Sequence, residues 1–256
     1  MRKFLAVLSL AMLLSTTPGA ITFGVPDNND HPYVGLLIVA IPEGFFALCS
    51  GVLVSPTVFL TAGHCTDAIE ELDGEAFVSF SSGPPFVIRH GTAHTHPDFD
   101  LTLPNTFDIG VVVLDSSVVG IEPAAIPSEG FLDEFATRRG QHDLYFTHVG
   151  YGAQAIVPRP INELMRFQGT SSLINLRNVF TDGFNIQTTA NPGRGRSGIC
   201  FGDSGGPALF KDTNLVVAIH SFAQNTNCTG NNFSYRIDTA VSLDFLAEFG
   251  VFPQPE

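Results

Sequence analysis

Apolar positions fall in short runs broken by turn-forming residues. After the polar turn Asp27-Asn28-Asn29-Asp30, residues 33–41, 45–53 and 58–62 form three β-prone runs, and 108–114 forms another. Between 115 and 140 the pattern lapses, with Pro123, Pro127 and Gly130 as punctuation. A second set follows at 144–151, 164–172, 185–189, 207–210 and 215–222. The last periodic stretch differs in kind: Val241, Phe245, Leu246 and Phe249 recur at helical spacing, so a helix is predicted over about 239–249. Thr239 or Asp238 can cap its start and Gly250 its end. The pattern predicts an all-β protein in two units, 21–128 and 129–256, with one closing helix and no internal repeat.

Residues 1–20 stand apart. Arg2 and Lys3 give a positive start, 4–14 is an apolar run too short to span a bilayer, and small residues follow at 15–20. This reads as a signal peptide, and a secreted protein with no membrane association after its removal is expected. With 256 residues the chain has ample length for a core. Its net charge of −13, from 25 acidic against 12 basic residues, makes nucleic acid and anionic membranes poor partners. Export suits the four cysteines, Cys49, Cys65, Cys200 and Cys228, which could pair in an oxidising compartment. A four-cysteine metal site is the rival, but the paired Cys-x₂₋₄-Cys spacing is missing.

The chemistry concentrates in Gly202-Asp203-Ser204-Gly205-Gly206-Pro207. A serine between glycines sits on a tight turn that exposes its hydroxyl, and the turn can aim the N–H groups of Gly202 and Ser204 at a developing negative charge. Upstream lie Thr61-Ala62-Gly63-His64-Cys65 and Asp108-Ile109-Gly110-Val111. A carboxylate such as Asp108 at the mouth of an apolar strand is costly without a partner. The three motifs, in the order His, Asp, Ser, resemble the signature of the trypsin/chymotrypsin-like serine proteases. The resemblance covers nearly all of 21–250.

It implies two six-stranded antiparallel β-barrels packed face to face, with the catalytic triad His64, Asp108 and Ser204 in the cleft between them. It further implies an oxyanion hole from the Gly202 and Ser204 N–H groups, and disulfides Cys49–Cys65 and Cys200–Cys228. Substrate contacts fall on Ser221, Phe222 and Ala223 at the strand edge, and on Gly198 and Phe201 at the specificity pocket. Gly198 stands where trypsins carry a carboxylate, so an uncharged residue is expected before the scissile bond. Phe233 is a further residue that could narrow the pocket. Tyr151 stands where the family usually has tryptophan. A freed Ile21 ammonium would pair with Asp203 and set the oxyanion loop. Neither a metal nor another cofactor is implied; the substrate is a peptide or protein, and the protein is expected to be a monomer.

Two rivals remain. Gly202-Asp203-Ser204-Gly205-Gly206 also fits Gly-x-Ser-x-Gly of the α/β-hydrolases, which would make an esterase, but those place acid and then histidine after the serine, and here only His220 follows. The other is an inactive protease-fold binding protein, although no triad member is missing. The acids Asp67, Glu70, Glu71, Asp73 and Glu75 read as a solvated turn. The cluster His90, His94, His96, Asp98 and Asp100 could hold a divalent metal, but the resemblance places His96-Pro97-Asp98-Phe99 in the loop leading into the Asp108 strand. Asn227-Cys228-Thr229 and Asn232-Phe233-Ser234 fit the glycosylation sequon.

Overall fold

The structure, a computed structural model, describes residues 21–136, 144–156, 159–191, 193 and 196–253. The proposed signal peptide, 1–20, lies outside the described residues.

The first barrel comprises β2 (Val34–Ile41), β3 (Gly44–Ser55), β4 (Val58–Thr61), β5 (Glu75–Ser79), β6 (Ile88–Thr95) and β7 (Gly110–Leu114), closed in the order β2-β3-β4-β7-β6-β5. Branched and aromatic side chains such as Val34, Leu37, Val52, Phe59, Val78 and Val111 fill it. Gly51 permits the closest packing, since a Cβ there would lie 2.4 Å from the Phe59 ring. The second barrel comprises β8 (Tyr145–Gly150), β9 (Phe167–Asn175), β10 (Asn185–Ala190), β11 (Pro207–Phe210), β12 (Val216–Ala223) and β13 (Gly230–Arg236). Their order is β9-β10-β13-β12-β11-β8, and pairing of β8 with β9 closes it. The short β1 (Val25–Pro26) precedes the first barrel in sequence yet pairs with β9 of the second.

Two α-helices occur among the described residues, α1 (Gly63–Glu71) and α2 (Ala240–Glu248). In α2 the Thr239 hydroxyl caps the helix by accepting from Ser242 N–H, whereas Asp238 binds Arg236. Helix α1 corrects the reading of 67–75 as a turn. Cys65, Thr66 and Ile69 turn inward while Glu70 and Glu71 remain in solvent, so an amphipathic helix begins directly after β4.

The barrels are joined by polar contacts as well as apolar ones. Residues 115–132 carry no strand and touch both sides: Ala124 N–H donates to Leu53 C=O, and Gly130 N–H to Asp238 C=O. On the other side of the joint Arg166, 1 % exposed, donates through Nε to Asp27 Oδ2 (2.8 Å) and through Nη2 to Asn29 Oδ1 (2.6 Å). Its Nη1 reaches the carbonyls of Val34 (2.8 Å) and Phe80 (3.2 Å). Nη1 also donates to Tyr151 Oη (3.3 Å), whose own O–H bonds to Ser81 C=O at 2.8 Å. The chain start, β2, the segment after β5, the end of β8 and the segment before β9 thus share one guanidinium. Burial pushes the Asp27 carboxyl up, but His31 and Arg166 outweigh it and hold the group below its ordinary value.

Arg166→Met should therefore lower the unfolding free energy by about 3–5 kcal/mol, because it strands a buried carboxylate. Urea denaturation would measure this, and a loss below about 1 kcal/mol would show the clasp to be unimportant. Because the folded Asp27 value is depressed, its contribution is present above the ordinary value of 3.8 and is lost as pH falls through the folded one. In Arg166→Met this acid loss should begin at higher pH.

Candidate active site

His64 occupies the first turn of α1, just after β4 ends, and Asp108 lies two residues before β7. Since β4 and β7 are paired neighbours, the two side chains meet. The His64 N–H donates to Asp108 Oδ1 at 2.9 Å, and the ring Nδ1 lies 3.0 Å from both carboxylate oxygens. Ser221 Oγ, on β12 of the other barrel, donates to Asp108 Oδ2 at 2.5 Å. These donors offset the desolvation of a carboxylate that is 1 % exposed, and Asp108 stays below its ordinary value. Burial pulls His64 down, but the hydrogen bond and charge of Asp108 outweigh it and raise the ring above its ordinary value near 6.5. A neutral ring donating from Nδ1 carries its lone pair on Nε2, the state required of a general base.

Ser204 sits in the loop 200–206 between the two barrels. Ser50 N–H donates to Ser204 C=O (2.8 Å), and Ser50 Oγ to Gly202 C=O (2.8 Å). Gly202 and Gly205 take φ of +92° and +75°, and a Cβ on Gly205 would fall 2.0 Å from Thr61 Oγ1. Among the described residues the N–H groups of Gly202 and Ser204 have no acceptor and the Ser204 hydroxyl has no partner. Ser204 and His64 line one cavity of about 420 Å³, with no hydrogen bond between them.

Phe201, Ser221, Phe222 and Ala223 also line this cavity, as do Ile199, Gln224, Asn225 and Thr226, for which the motifs gave no signal. Among the described residues, no charged or titratable side chain apart from His64 does so. Gly198 is not on the wall. It pairs with Thr22 behind it, and a Cβ would lie 2.5 Å from Ala190 Cβ and 2.9 Å from Thr22 Oγ1. Phe233 is also off the wall, stacked on Phe222 at 4.6 Å. A second cavity, about 410 Å³, opens on the other side of His64 and is lined by Leu101, Leu103, Thr106 and Phe222. The exposed Leu101 and Leu103 could have suggested it.

Disulfides Cys49–Cys65 and Cys200–Cys228 tie β3 to α1 and the Ser204 loop to the segment before β13. Asp203 is fully buried and accepts from Gly152 N–H and Cys200 N–H, both at 2.9 Å. Burial pushes its carboxyl up to about 7. Ile21 is buried as well, but among the described residues no hydrogen bond joins it to Asp203. The three histidines of the polar cluster go separate ways: His90 pairs with Asp115, His94 meets Phe249, and His96 packs between Phe107 and Phe245. Asn227 is exposed, whereas Asn232 is buried on β13.

A sequence model of the family described as Trypsin matches residues 22–246. Among solved structures, one titled HL collagenase superposes with a TM-score of 0.71 at 18 % identity, covering 90 % of this chain and 98 % of its own. That likeness is one of fold.

Asp108 is what raises His64, so Asp108→Asn should drop the ring below the wild-type value, leaving the downward pull of burial. An NMR titration of the His64 ring would follow the shift. In the wild type, any activity that needs neutral His64 should rise with pH as the raised value is passed.

Proposed function

From the premise that the chain belongs to the trypsin family of serine proteases, we propose that it is a secreted endopeptidase that forms an acyl-enzyme on Ser204. The observation that carries this is the pair of unpaired amides, Gly202 N–H and Ser204 N–H, on the loop bearing a free hydroxyl that shares a cavity with His64. Ser204 Oγ attacks the scissile carbonyl, and His64 Nε2 takes its proton and returns it to the leaving amine. Asp108 holds the tautomer and stabilises the imidazolium. The two amides receive the oxyanion; one such donor contributes about 3 kcal/mol to lowering the barrier. The gap between Ser204 and His64 is compatible with this role, because such contacts tighten once a substrate is seated.

The cavity favours an uncharged residue before the scissile bond. Among the described residues its wall offers no carboxylate, and a Lys or Arg buried there unpaired would be costly. At Gly198, which lies off the wall, a larger side chain has no room beside Ala190 and Thr22, so that position brings no carboxylate to the cavity. Ser221 and Ala223 border the path of an extended peptide, with the Leu101–Leu103 cavity further along for another apolar side chain. The two disulfides and the apolar leader favour secretion. No helix among the described residues is long and apolar enough to cross a membrane. The protein works as a monomer without a cofactor.

Activation follows from Asp203. With residues ahead of Ile21, this buried carboxyl is met by two amides and no cation among the described residues. Cleavage after residue 20 would supply the Ile21 ammonium. Pairing would lower the Asp203 value from about 7 and recover stability that is otherwise lost as pH rises from the ordinary carboxylate range through 7.

Ser204→Ala, His64→Ala and Asp108→Asn should each leave a folded protein with almost no turnover, the serine and histidine losses on the order of 10⁶-fold. A serine-directed phosphonate should label only Ser204. A wild-type protein that takes no label would favour an inactive binding protein. A peptide library should show cleavage after uncharged residues; dominant cleavage after Lys or Arg would overturn the specificity.

N-terminal sequencing of the active protein should begin at Ile21, and a form extended before Ile21 should be inactive. Full activity in the extended form would rule out the ammonium pair.

A further inference from the structure

Behind the Ser204 loop the second barrel buries two histidines that the proposed chemistry does not use. His148 on β8 and His220 on β12 are both fully buried, with His148 Nδ1 2.9 Å from His220 Nε2. His220 Nδ1 lies 3.0 Å from the Asp203 carbonyl oxygen, and His148 Nε2 is hydrogen-bonded to Ser171 Oγ on β9.

These contacts fix every proton. A carbonyl can only accept, so His220 must carry its proton on Nδ1, leaving Nε2 as an acceptor. His148 must then donate from Nδ1, leaving its own Nε2 to accept from the Ser171 hydroxyl. The chain runs Ser171 O–H to His148, His148 N–H to His220, and His220 N–H to Asp203 C=O. Both rings are neutral at neutral pH, since burial pulls His148 well below its ordinary value and His220 to about 4, against the opposing Asp203 and Pro207 carbonyls.

We propose that His220, held by His148 and Ser171, is a positioning residue for the oxyanion hole, acting through the peptide between Asp203 and Ser204. The carbonyl it grips belongs to the same planar unit as the Ser204 N–H. In a trans peptide those two groups point in opposite directions, so fixing one aims the other. Gly206 N–H donates to the same carbonyl at 2.9 Å, so both of its lone pairs are engaged. Donation to the oxygen also polarises the amide and strengthens its N–H as a donor. The inference rests on the peptidase reading and adds a second layer of residues to it.

The first test needs no variant. In ¹⁵N NMR spectra of the wild-type protein at neutral pH, both rings should be Nδ1–H tautomers; an Nε2–H tautomer at either would overturn the chain. The second compares His220→Leu, which removes the donor, with His220→Asn, whose amide N–H can stand where Nδ1 stood. His220→Leu should lower kcat about tenfold with KM little changed, less than the 10²–10³ seen when an oxyanion donor is deleted outright. His220→Asn should recover most of the loss, which repair of packing alone would not do. Unchanged kcat in His220→Leu, or equal impairment of the two variants, would overturn the positioning role. A wild-type protein that remains inert after removal of residues 1–20 would instead overturn the peptidase reading and the positioning role together.

Discussion

The proposed catalytic groups are divided between two closed barrels, so their geometry depends on how those barrels are held together. His64 and Asp108 come from the first, Ser204 and Ser221 from the second. Polar contacts at the site cross that boundary, among them Ser221 O–H to Asp108, Ser50 N–H to Ser204 C=O, and Ser50 O–H to Gly202 C=O. Each is a neutral donor meeting an acceptor in a partly or fully buried place, where loss of one side leaves the other unsatisfied at roughly 1–3 kcal/mol. Arg166 clamps the far side of the same joint, joining its own segment to four others with one planar group. A guanidinium suits that task because its fork of donors is fixed in shape and always charged.

Ser50 shows how tightly the joint and the chemistry are connected. Its hydroxyl donates to Gly202 C=O and accepts from Tyr151 N–H, while its own N–H holds Ser204 C=O. The Ser204 loop is thereby held by β3 of one barrel and the end of β8 in the other. Two carbonyls of the loop are drawn towards β3, and among the described residues the amides of Gly202 and Ser204, like that of Phe201, are left without an acceptor. Burial of Asp203 completes the loop, since its carboxylate engages the amides of Cys200 and Gly152.

How much of this was legible depended on whether residue type and burial agreed. Residues 33–41, 58–62 and 108–114 were readable as strands because nearly every side chain there is apolar and buried. The strand β6 was hidden, as Ile88, His90 and Thr92 face solvent and Gly91 supplies no side chain to the pattern. β13 was obscured for the opposite reason: Asn232 and Ser234 are polar yet fully buried, so they read as loop residues. Motif context singled out His64, Asp108 and Ser204 as candidates, because the proposed chemistry constrains neighbouring residue types. It did not identify Ser50, nor the hydroxyl of Ser221 as a partner of Asp108, because a single serine carries no pattern. The position of Gly198 was also out of reach, since its exclusion from the cavity is decided by Thr22, 176 residues away.

The two barrels also differ in what they can do. The first is filled by an apolar cluster and serves as a stiff mount for His64 and Asp108. The second places His148, Ser171, His220, Thr188, Asn232 and Ser234 out of solvent, and every such group weakens apolar packing. A purely stabilising interior would not be built that way. The histidine chain gives a reason for part of it: the Ser204 loop turns the Asp203 carbonyl inward, and a buried carbonyl requires donors. An apolar side chain at 220 would leave only Gly206 N–H to meet it. The second barrel therefore has to be polar where it supports the loop, and the same hydrogen bonds that satisfy the buried carbonyl set the direction of the amide on its other side.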